Sequence, residues 1–152
     1  MLYCDLDGVL ADFDKRCMEV FGQYPNSLNE RYMWATITKH HPHFYADLDW
    51  MPDGKELWNV VKEYVPTILT GTPRSVKAAR NDKLKWCAIE LGEDVPVIAG
   101  PTRDKPLYAS PGAILIDDRV RTKAGWENAG GIFILHTSAK QSIEELKLHG
   151  YD

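Results

Sequence analysis

Short apolar runs bounded by turn residues recur along the chain and predict five β-strands. These runs cover residues 2–6, 66–69, 95–99, 113–116 and 131–135. The segments between the later runs carry apolar residues at helical spacing, and the same spacing precedes the second run at Leu57, Val60, Val61 and Tyr64. Strands that alternate with helices in this way are typical of an α/β protein whose parallel sheet has helices on both faces.

Start and stop signals set the limits of the predicted helices, which cover residues 56–64, 76–91, 122–129 and 141–148. Pro73 precedes the second of these helices and Gly92 follows it, as expected of residues that begin and end helices. Ser138 is positioned to cap the last helix with its side-chain hydroxyl.

The connection between the first two predicted strands, residues 13–65, is much longer than the others. A single crossover helix does not need so many residues. We therefore expect a single domain whose core comprises residues 1–12 and 66–152, with a small helical cap inserted at about residues 13–65.

Composition and charge narrow the class of protein. The chain has 152 residues, 44% of them hydrophobic, which is enough for one continuous core. Its net charge of −4 argues against a protein that coats nucleic acid, and no apolar run approaches the roughly 18 residues of a membrane helix. No export signal is visible, and Cys4, Cys17 and Cys87 are scattered. We expect a cytoplasmic protein with reduced thiols, a monomer or homodimer, whose partner is a small molecule.

Polar residues follow each of the first four predicted strands. In an open parallel sheet, ligands bind outside the carboxyl ends of the strands. The side chains expected to converge there are Asp5, Asp7, Thr70, Lys105, Asp117 and Asp118. One such residue alone would be read as a loop-capping or solvated side chain, but the repetition at four strand ends indicates a shared site.

The types of these residues predict their chemistry. Two carboxylates at the end of a buried strand repel each other unless a cation lies between them. Clustered carboxylates bind Mg²⁺, and a carboxylate can also attack phosphorus to form an aspartyl-phosphate. Lys105 would offset charge on the phosphoryl oxygens, and the hydroxyl of Thr70 would donate a hydrogen bond to them. The pattern therefore favours phosphoryl chemistry with Mg²⁺ as cofactor.

Four segments of the chain resemble the four motifs of the haloacid-dehalogenase-type phosphohydrolases, in the same order. They are "DLDGV", "LTGT", the loop that contains Lys105, and "LIDD". Within that superfamily the chain is most similar to the 5′(3′)-deoxyribonucleotidases, in "DLDGVLADF", "TRDK", "LIDDR" and the aromatic "RYMW". The resemblance covers essentially the whole chain and implies a Rossmann-like core with a small helical cap over the site.

The resemblance also implies a role for each catalytic residue. Asp5 would be the nucleophile, and Asp7 the general acid and base that protonates the leaving oxygen and then activates water. Thr70 and Lys105 would bind and orient the phosphoryl group. An aspartate at position 7 favours a phosphatase over a dehalogenase, because the acid–base step needs it.

The same resemblance implies a magnesium site built from carboxylates. Asp5 and Asp117 would ligate Mg²⁺ directly, and Asp7 would contribute its backbone carbonyl. Asp118 would act through a water molecule or hold Lys105 in place.

Three further residues are predicted to bind substrate. Gly71 lies in "LTGTP", where the deoxyribonucleotidases have a shorter Thr-Ser-Pro turn, so the hydrogen bonds to substrate would differ there. Arg74 follows this turn and would add positive charge, although a surface position would explain it equally well. Trp34 matches the base-contacting stretch of the family, and its alternative role is in the core of the cap. The histidines at 40, 41 and 43 are expected to lie in a solvated loop and not to bind metal.

These observations predict a Mg²⁺-dependent phosphomonoesterase, with a nucleoside monophosphate or deoxynucleoside monophosphate as the expected substrate. A phosphatase for a sugar phosphate or another small phosphoester is the alternative within the enzymes. A non-catalytic protein that binds a phosphorylated ligand is the alternative outside them, but such a protein would not need Asp7 as an acid and base.

Overall fold

A computed structural model describes all 152 residues, and its centre is a five-stranded parallel sheet. The strands are β1 (Leu2–Cys4), β2 (Thr67–Gly71), β3 (Val97–Gly100), β4 (Ile114–Asp117) and β5 (Ile132–Leu135). Their order across the sheet is β3-β2-β1-β4-β5, and every neighbouring pair is parallel. The predicted α/β architecture is therefore confirmed.

Six α-helices connect or flank these strands. They are α1 (Phe13–Phe21), α2 (Glu30–His40), α3 (Gly54–Val61), α4 (Ala79–Glu90), α5 (Lys123–Asn128) and α6 (Ala139–Leu148). The last helix begins two residues earlier than predicted, because Ser138 is its N-cap and accepts a hydrogen bond from the backbone N–H of Gln141 at 3.1 Å. No helix is long and apolar enough to span a membrane.

The two faces of the sheet bury different sets of side chains. Leu2 and Cys4 of β1 face a large core that includes residues of α3, α4 and α6, whereas Tyr3 faces a smaller core with Trp126 of α5. This alternation follows from the two-residue period of a strand. Both faces are buried, which explains why the predicted strands read as continuous apolar runs.

The long segment between β1 and β2 folds into helices, as its length predicts. Phe13, Ile37 and Phe44 from this segment belong to the same large core as the sheet residues. Helix α3, however, packs along α6 on the flank of the sheet. The proposed division of the chain into a core and a cap at 13–65 stays a prediction.

The order of the strands places a crevice between β1 and β4. The chain runs outward from β1 through β2 to β3 and then returns to the other side of β1 as β4. The two connections leave this point in opposite directions, so the carboxyl ends of β1 and β4 border an open crevice. Asp5 directly follows β1 and Asp117 ends β4, so both lie at that crevice.

Candidate active site

A tight turn after β1 brings the first two aspartates to the crevice. The backbone N–H of Asp5 donates to the carbonyl of Ile116 at 2.9 Å, and the N–H groups of Leu10 and Ala11 both donate to the carbonyl of Leu6. Gly8 has a φ of +80°, and a Cβ there would lie 2.1 Å from Oδ2 of Asp118. Glycine is thus required both by the backbone conformation and by the close approach of a carboxylate.

Three carboxylates meet at this turn. Asp5, Asp117 and Asp118 each offer one oxygen, and these oxygens lie within 4.8 Å of one another. Lys105 lies between two of them: its Nζ donates to Oδ1 of Asp5 at 3.1 Å and to Oδ2 of Asp117 at 2.8 Å. The backbone N–H of Arg119 donates to the other oxygen of Asp117 at 2.9 Å and fixes its orientation. Lys105 is therefore held by Asp5 and Asp117 and not by Asp118, so of the two roles expected for Asp118 only action through a water molecule stays a prediction.

The surroundings push the pKa values of these carboxyls apart. Burial alone would raise the pKa of Asp5, but the Lys105 ammonium, the backbone N–H of Leu6 and the charge of Lys83 together outweigh it and hold that pKa below its ordinary value. Burial and the neighbouring charge of Asp5 raise the pKa of Asp117 to about 6. Burial, with Asp5 and Asp117 nearby, raises that of Asp118 to about 8. Three negative charges at this spacing are thus not fully compensated by one lysine.

The donor set fits a magnesium ion. Mg²⁺ prefers carboxylate oxygens and keeps water ligands that a phosphate can replace. One oxygen of Asp118 is buried without any hydrogen-bond partner, and a cation between the three carboxylates would compensate it. Asp5, Asp117 and Asp118 are the residues whose oxygens would surround the ion.

A second lysine, which the sequence analysis missed, supports Asp7. Lys83 lies on α4, is only 1% exposed, and its Nζ donates to Oδ2 of Asp7 at 2.6 Å. The same ammonium donates to Oγ1 of Thr70 at 3.2 Å and to the carbonyl of Gly71. It also lies 4.4 Å from the centre of the Tyr45 ring, a favourable cation–π contact. One buried lysine thus connects the ends of β1 and β2.

The signal for Lys83 was present in the helical pattern. The buried residues of α4 include Ala79, Lys83, Trp86 and Cys87, which share one face at helical spacing. A lysine at a core position of a helix is unusual unless it pairs with a carboxylate. Its position on the apolar face could therefore have identified it.

The residues predicted to bind substrate lie around one cavity. Trp34, Gly71 and Arg74 all line a cavity of about 520 Å³ above the carboxylates, whereas Thr70 is buried beside it. A Cβ at Gly71 would lie 2.0 Å from the hydroxyl oxygen of Thr102, so glycine here also permits the close approach of the loop after β3. Trp34 is partly exposed to the cavity and partly packed against the core, 6.2 Å from the Phe13 ring.

The histidines at positions 40, 41 and 43 do not form a metal cluster. His41 is the C-cap of α2, and His43 contacts the buried carboxylate of Asp82 through Nδ1 at 3.0 Å. The only group of three or more His, Cys, Asp or Glu side chains close enough to share a metal ion is the carboxylate cluster. Nothing in the sequence pattern indicates the contact between His43 and Asp82.

Comparison with known proteins identifies the fold. The structure is similar to that of a hydrolase from Streptococcus pneumoniae TIGR4, with a TM-score of 0.51 and 13% identity over 96% of this chain and 97% of that one. It is similar also to L-2-haloacid dehalogenase from Xanthobacter autotrophicus, solved with chloropropionic acid covalently bound, with a TM-score of 0.50 and 14% identity over 99% of this chain and 83% of that one. The chain has the haloacid-dehalogenase fold. No family model matches the sequence, and no curated protein matches it.

Proposed function

We propose that this protein is a Mg²⁺-dependent phosphomonoesterase that forms an aspartyl-phosphate on Asp5. The observation that carries this proposal is the pairing of two aspartates with two different buried lysines. Lys105 contacts Asp5, and Lys83 contacts Asp7. The two carboxyls thus lie in one cavity but in different electrostatic surroundings, which is how a site separates a nucleophile from an acid.

The direction of each pKa shift fits its role. A nucleophile must be ionised, and Lys105 keeps the pKa of Asp5 below its ordinary value against the effect of burial. A general acid must hold a proton, and burial raises the pKa of Asp7 although Lys83 offsets part of this effect. The contact with Lys83 also fixes the Asp7 side chain in the cavity.

The first half of the reaction transfers the phosphoryl group to the protein. An oxygen of Asp5 attacks phosphorus while the bond from phosphorus to the ester oxygen breaks, and Asp7 donates its proton to the departing oxygen. The products of this step are the free alcohol and the phosphorylated aspartate. The ammonium groups of Lys83 and Lys105 stabilise the negative charge on the phosphoryl oxygens in the transition state.

The second half releases phosphate. Asp7, now ionised, accepts a proton from a water molecule that attacks the same phosphorus atom. The bond from phosphorus to the Asp5 oxygen breaks, so inorganic phosphate leaves and both aspartates return to their starting states. A bound Mg²⁺ would supply positive charge to the phosphoryl oxygens in both halves and would relieve the repulsion among Asp5, Asp117 and Asp118.

The lining of the cavity supports a nucleotide as the substrate. Phe13, Trp34 and Tyr45 line it on the side formed by the segment between β1 and β2. We refer to these three residues as the aromatic lining. Phe13 and Tyr45 are buried, so the half-buried Trp34 is the member whose face can stack on a nucleobase without selecting one of them.

A second candidate is a sugar phosphate. The hydroxyl groups of Thr72, Ser75 and Thr102 also line the cavity. Hydroxyl groups can form hydrogen bonds with the sugar of a sugar phosphate as well as with the ribose of a nucleotide. Both candidates share the phosphoryl chemistry and differ only in the group that fills the outer part of the cavity.

The direct test is a turnover screen with Mg²⁺ over deoxynucleoside monophosphates, ribonucleoside monophosphates and sugar phosphates. We expect release of inorganic phosphate from at least one class, and acid-quenched mass spectrometry should find one phosphoryl group on Asp5. With a phosphoester whose leaving group departs without a proton, such as nitrophenyl phosphate, the variant Asp7→Asn should accumulate this adduct, because its amide cannot activate water. Wild-type protein that hydrolyses none of the compounds would contradict the proposal and favour a protein that only binds phosphorylated ligands.

A further inference from the structure

Three arginines of the cavity have side chains that form no ion pair within the protein. Arg74 lies in the loop after β2, and Arg119 and Arg121 lie in the segment after β4. They are three of the seven arginines in the chain, and all three line this one cavity. We refer to them as the arginine lining.

The guanidinium groups of the arginine lining are uncommitted. None of them forms an ion pair or donates a hydrogen bond within the chain, although Arg16 elsewhere binds Asp47 at 2.8 Å. All three residues are exposed at the opening of the cavity. Free guanidinium groups that surround a cavity attract anions to it.

The phosphoryl group that is cleaved does not need all three. It would lie against Asp5, where Lys83 and Lys105 already provide two buried ammonium groups. Arg74 and Arg121 are exposed, whereas Lys83 and Lys105 are buried, so both arginines belong to the outer part of the site. Their positive charge is therefore available to a second negative group on the ligand.

We propose that the substrate carries, besides the phosphoryl group that is removed, a second anionic group that binds to the arginine lining. This proposal rests on the proposed phosphatase function and specifies the substrate class. The second group is a phosphate or a carboxylate, because the planar guanidinium fork pairs with both through two parallel hydrogen bonds. A cavity of about 520 Å³ is large enough for a small organic phosphate with two such groups.

The experiment compares substrates with and without a second anion; the bisphosphates keep the sugar ring of their partners, whereas the carboxylate compound is an open-chain acid. Glucose 6-phosphate is compared with glucose 1,6-bisphosphate and with 6-phosphogluconate, and deoxyadenosine 5′-phosphate is compared with its 3′,5′-bisphosphate. We expect kcat/KM for release of the first phosphate to be about tenfold higher for at least one doubly anionic compound than for its singly anionic partner. A gain with the bisphosphates alone, or with the carboxylate alone, supports the proposal and identifies the second group.

Arginine variants test whether the lining is responsible. Arg74→Gln and Arg121→Gln should each reduce kcat/KM for the preferred doubly anionic compound about tenfold, and more than for its singly anionic partner, so that the preference shrinks. Arg80→Gln is the control, because Arg80 is exposed on α4 and does not line the cavity. Added salt should weaken the same preference in the wild-type protein.

The outcomes separate this proposal from the one on which it rests. If the singly anionic compounds are hydrolysed as efficiently as the doubly anionic ones, the second anion is wrong and the phosphatase function stands. A preference that survives both arginine changes would overturn the assignment to the arginine lining. If no compound is hydrolysed, the phosphatase function fails and the substrate proposal fails with it.

Discussion

Charge is arranged differently in the inner and outer parts of the cavity. In the inner part, Lys83 and Lys105 are buried. Their ammonium groups donate hydrogen bonds of 2.6 to 3.1 Å to carboxylate oxygens. In the outer part, Arg74, Arg119 and Arg121 are exposed, and their guanidinium groups form no ion pair with a carboxylate. The inner lysines are therefore paired with carboxylates, whereas the outer charges are available to a ligand.

This difference separates reaction from selection. Burying a charged side chain costs free energy unless an opposite charge contacts it with good geometry. The buried ion pairs of the inner part therefore indicate a catalytic role that needs charges in fixed positions. Exposed and unpaired groups cost little to maintain, and they can be varied to suit a different ligand without disturbing the core. Changes to the inner part should therefore alter the rate for every substrate, while changes to the outer part should alter the preference among substrates.

The largest effect should come from Asp5→Asn. An amide cannot attack phosphorus, so turnover should fall by roughly four orders of magnitude or more for every substrate. The fold should survive, since the change removes the contact with Lys105 but also relieves repulsion with Asp117 and Asp118, and we expect only a small change in melting temperature. The measurements are phosphate release and thermal unfolding.

The matched control for this change is Asp94→Asn, at an exposed loop aspartate outside the cavity. It should behave as wild type in both measurements. An Asp5→Asn protein that retains a substantial fraction of wild-type turnover would show that Asp5 is not the nucleophile, and the inner part would then lose its proposed task.

Removal of metal should abolish turnover almost as completely. Asp5, Asp117 and Asp118 would hold Mg²⁺, and excess chelator should stop phosphate release until Mg²⁺ is restored. Ca²⁺ should inhibit, because its larger and looser ligand shell lets a carboxylate bind with both oxygens and draws Asp5 from its line of attack. Mg²⁺ should also raise the melting temperature of the wild-type protein but not that of Asp117→Asn. Full activity in chelator would refute the metal site.

A smaller but still large effect is expected from Lys83→Met. Methionine can occupy a similar volume among the apolar neighbours of α4, but it removes the ammonium group that contacts Asp7, Thr70 and Gly71. We expect kcat to fall about 100-fold for all substrates, as when one donor to a transition state is lost. The preference between substrates should not change, because the outer part is intact.

Lys85→Met provides the comparison for this variant, since Lys85 is exposed on the same helix two residues away. If Lys83→Met lost activity only in proportion to its fraction of unfolded protein, Lys83 would be a structural residue alone. Circular dichroism and thermal unfolding of both variants distinguish these cases.

Strand ends were the most predictable feature of the site. Asp5 and Asp117 could be placed together from the sequence because parallel strands carry their carboxyl ends to one edge, and no detail of packing is needed for that inference. The same rule predicts that Lys105, which lies in the loop after β3, is near the carboxylates. The sequence could not show that Lys105 contacts Asp117 and not Asp118, because that choice depends on side-chain geometry over distances of a few ångströms.

Helices were less predictable, because their faces are fixed by tertiary packing. Lys83 was missed since a lysine within a helix ordinarily extends to solvent, and only the packing of α4 on the sheet turns it toward Asp7. Likewise, the pattern of α3 shows an apolar face but not that this face packs along α6. Local spacing reveals which face is buried, whereas its partner is a property of the whole fold.

The smallest predicted effect concerns Trp34, which belongs to the aromatic lining and to the core at once. If its exposed face stacks on a base, Trp34→Ala should raise KM for a nucleoside monophosphate by about one order of magnitude, from a stacking contribution of roughly 1–3 kcal/mol. Turnover of a small generic phosphoester, which does not reach the outer part of the cavity, should barely change.

Tyr32→Ala is the control for this experiment, because Tyr32 is an exposed aromatic residue on the same helix and does not line the cavity. It should leave KM for both substrates unchanged. If Trp34→Ala instead lowers turnover of both substrates together with the melting temperature, Trp34 acts through the core that it shares with Phe13. The aromatic lining would then no longer favour a nucleotide, and the hydroxyl groups around the cavity would make a sugar phosphate the better candidate.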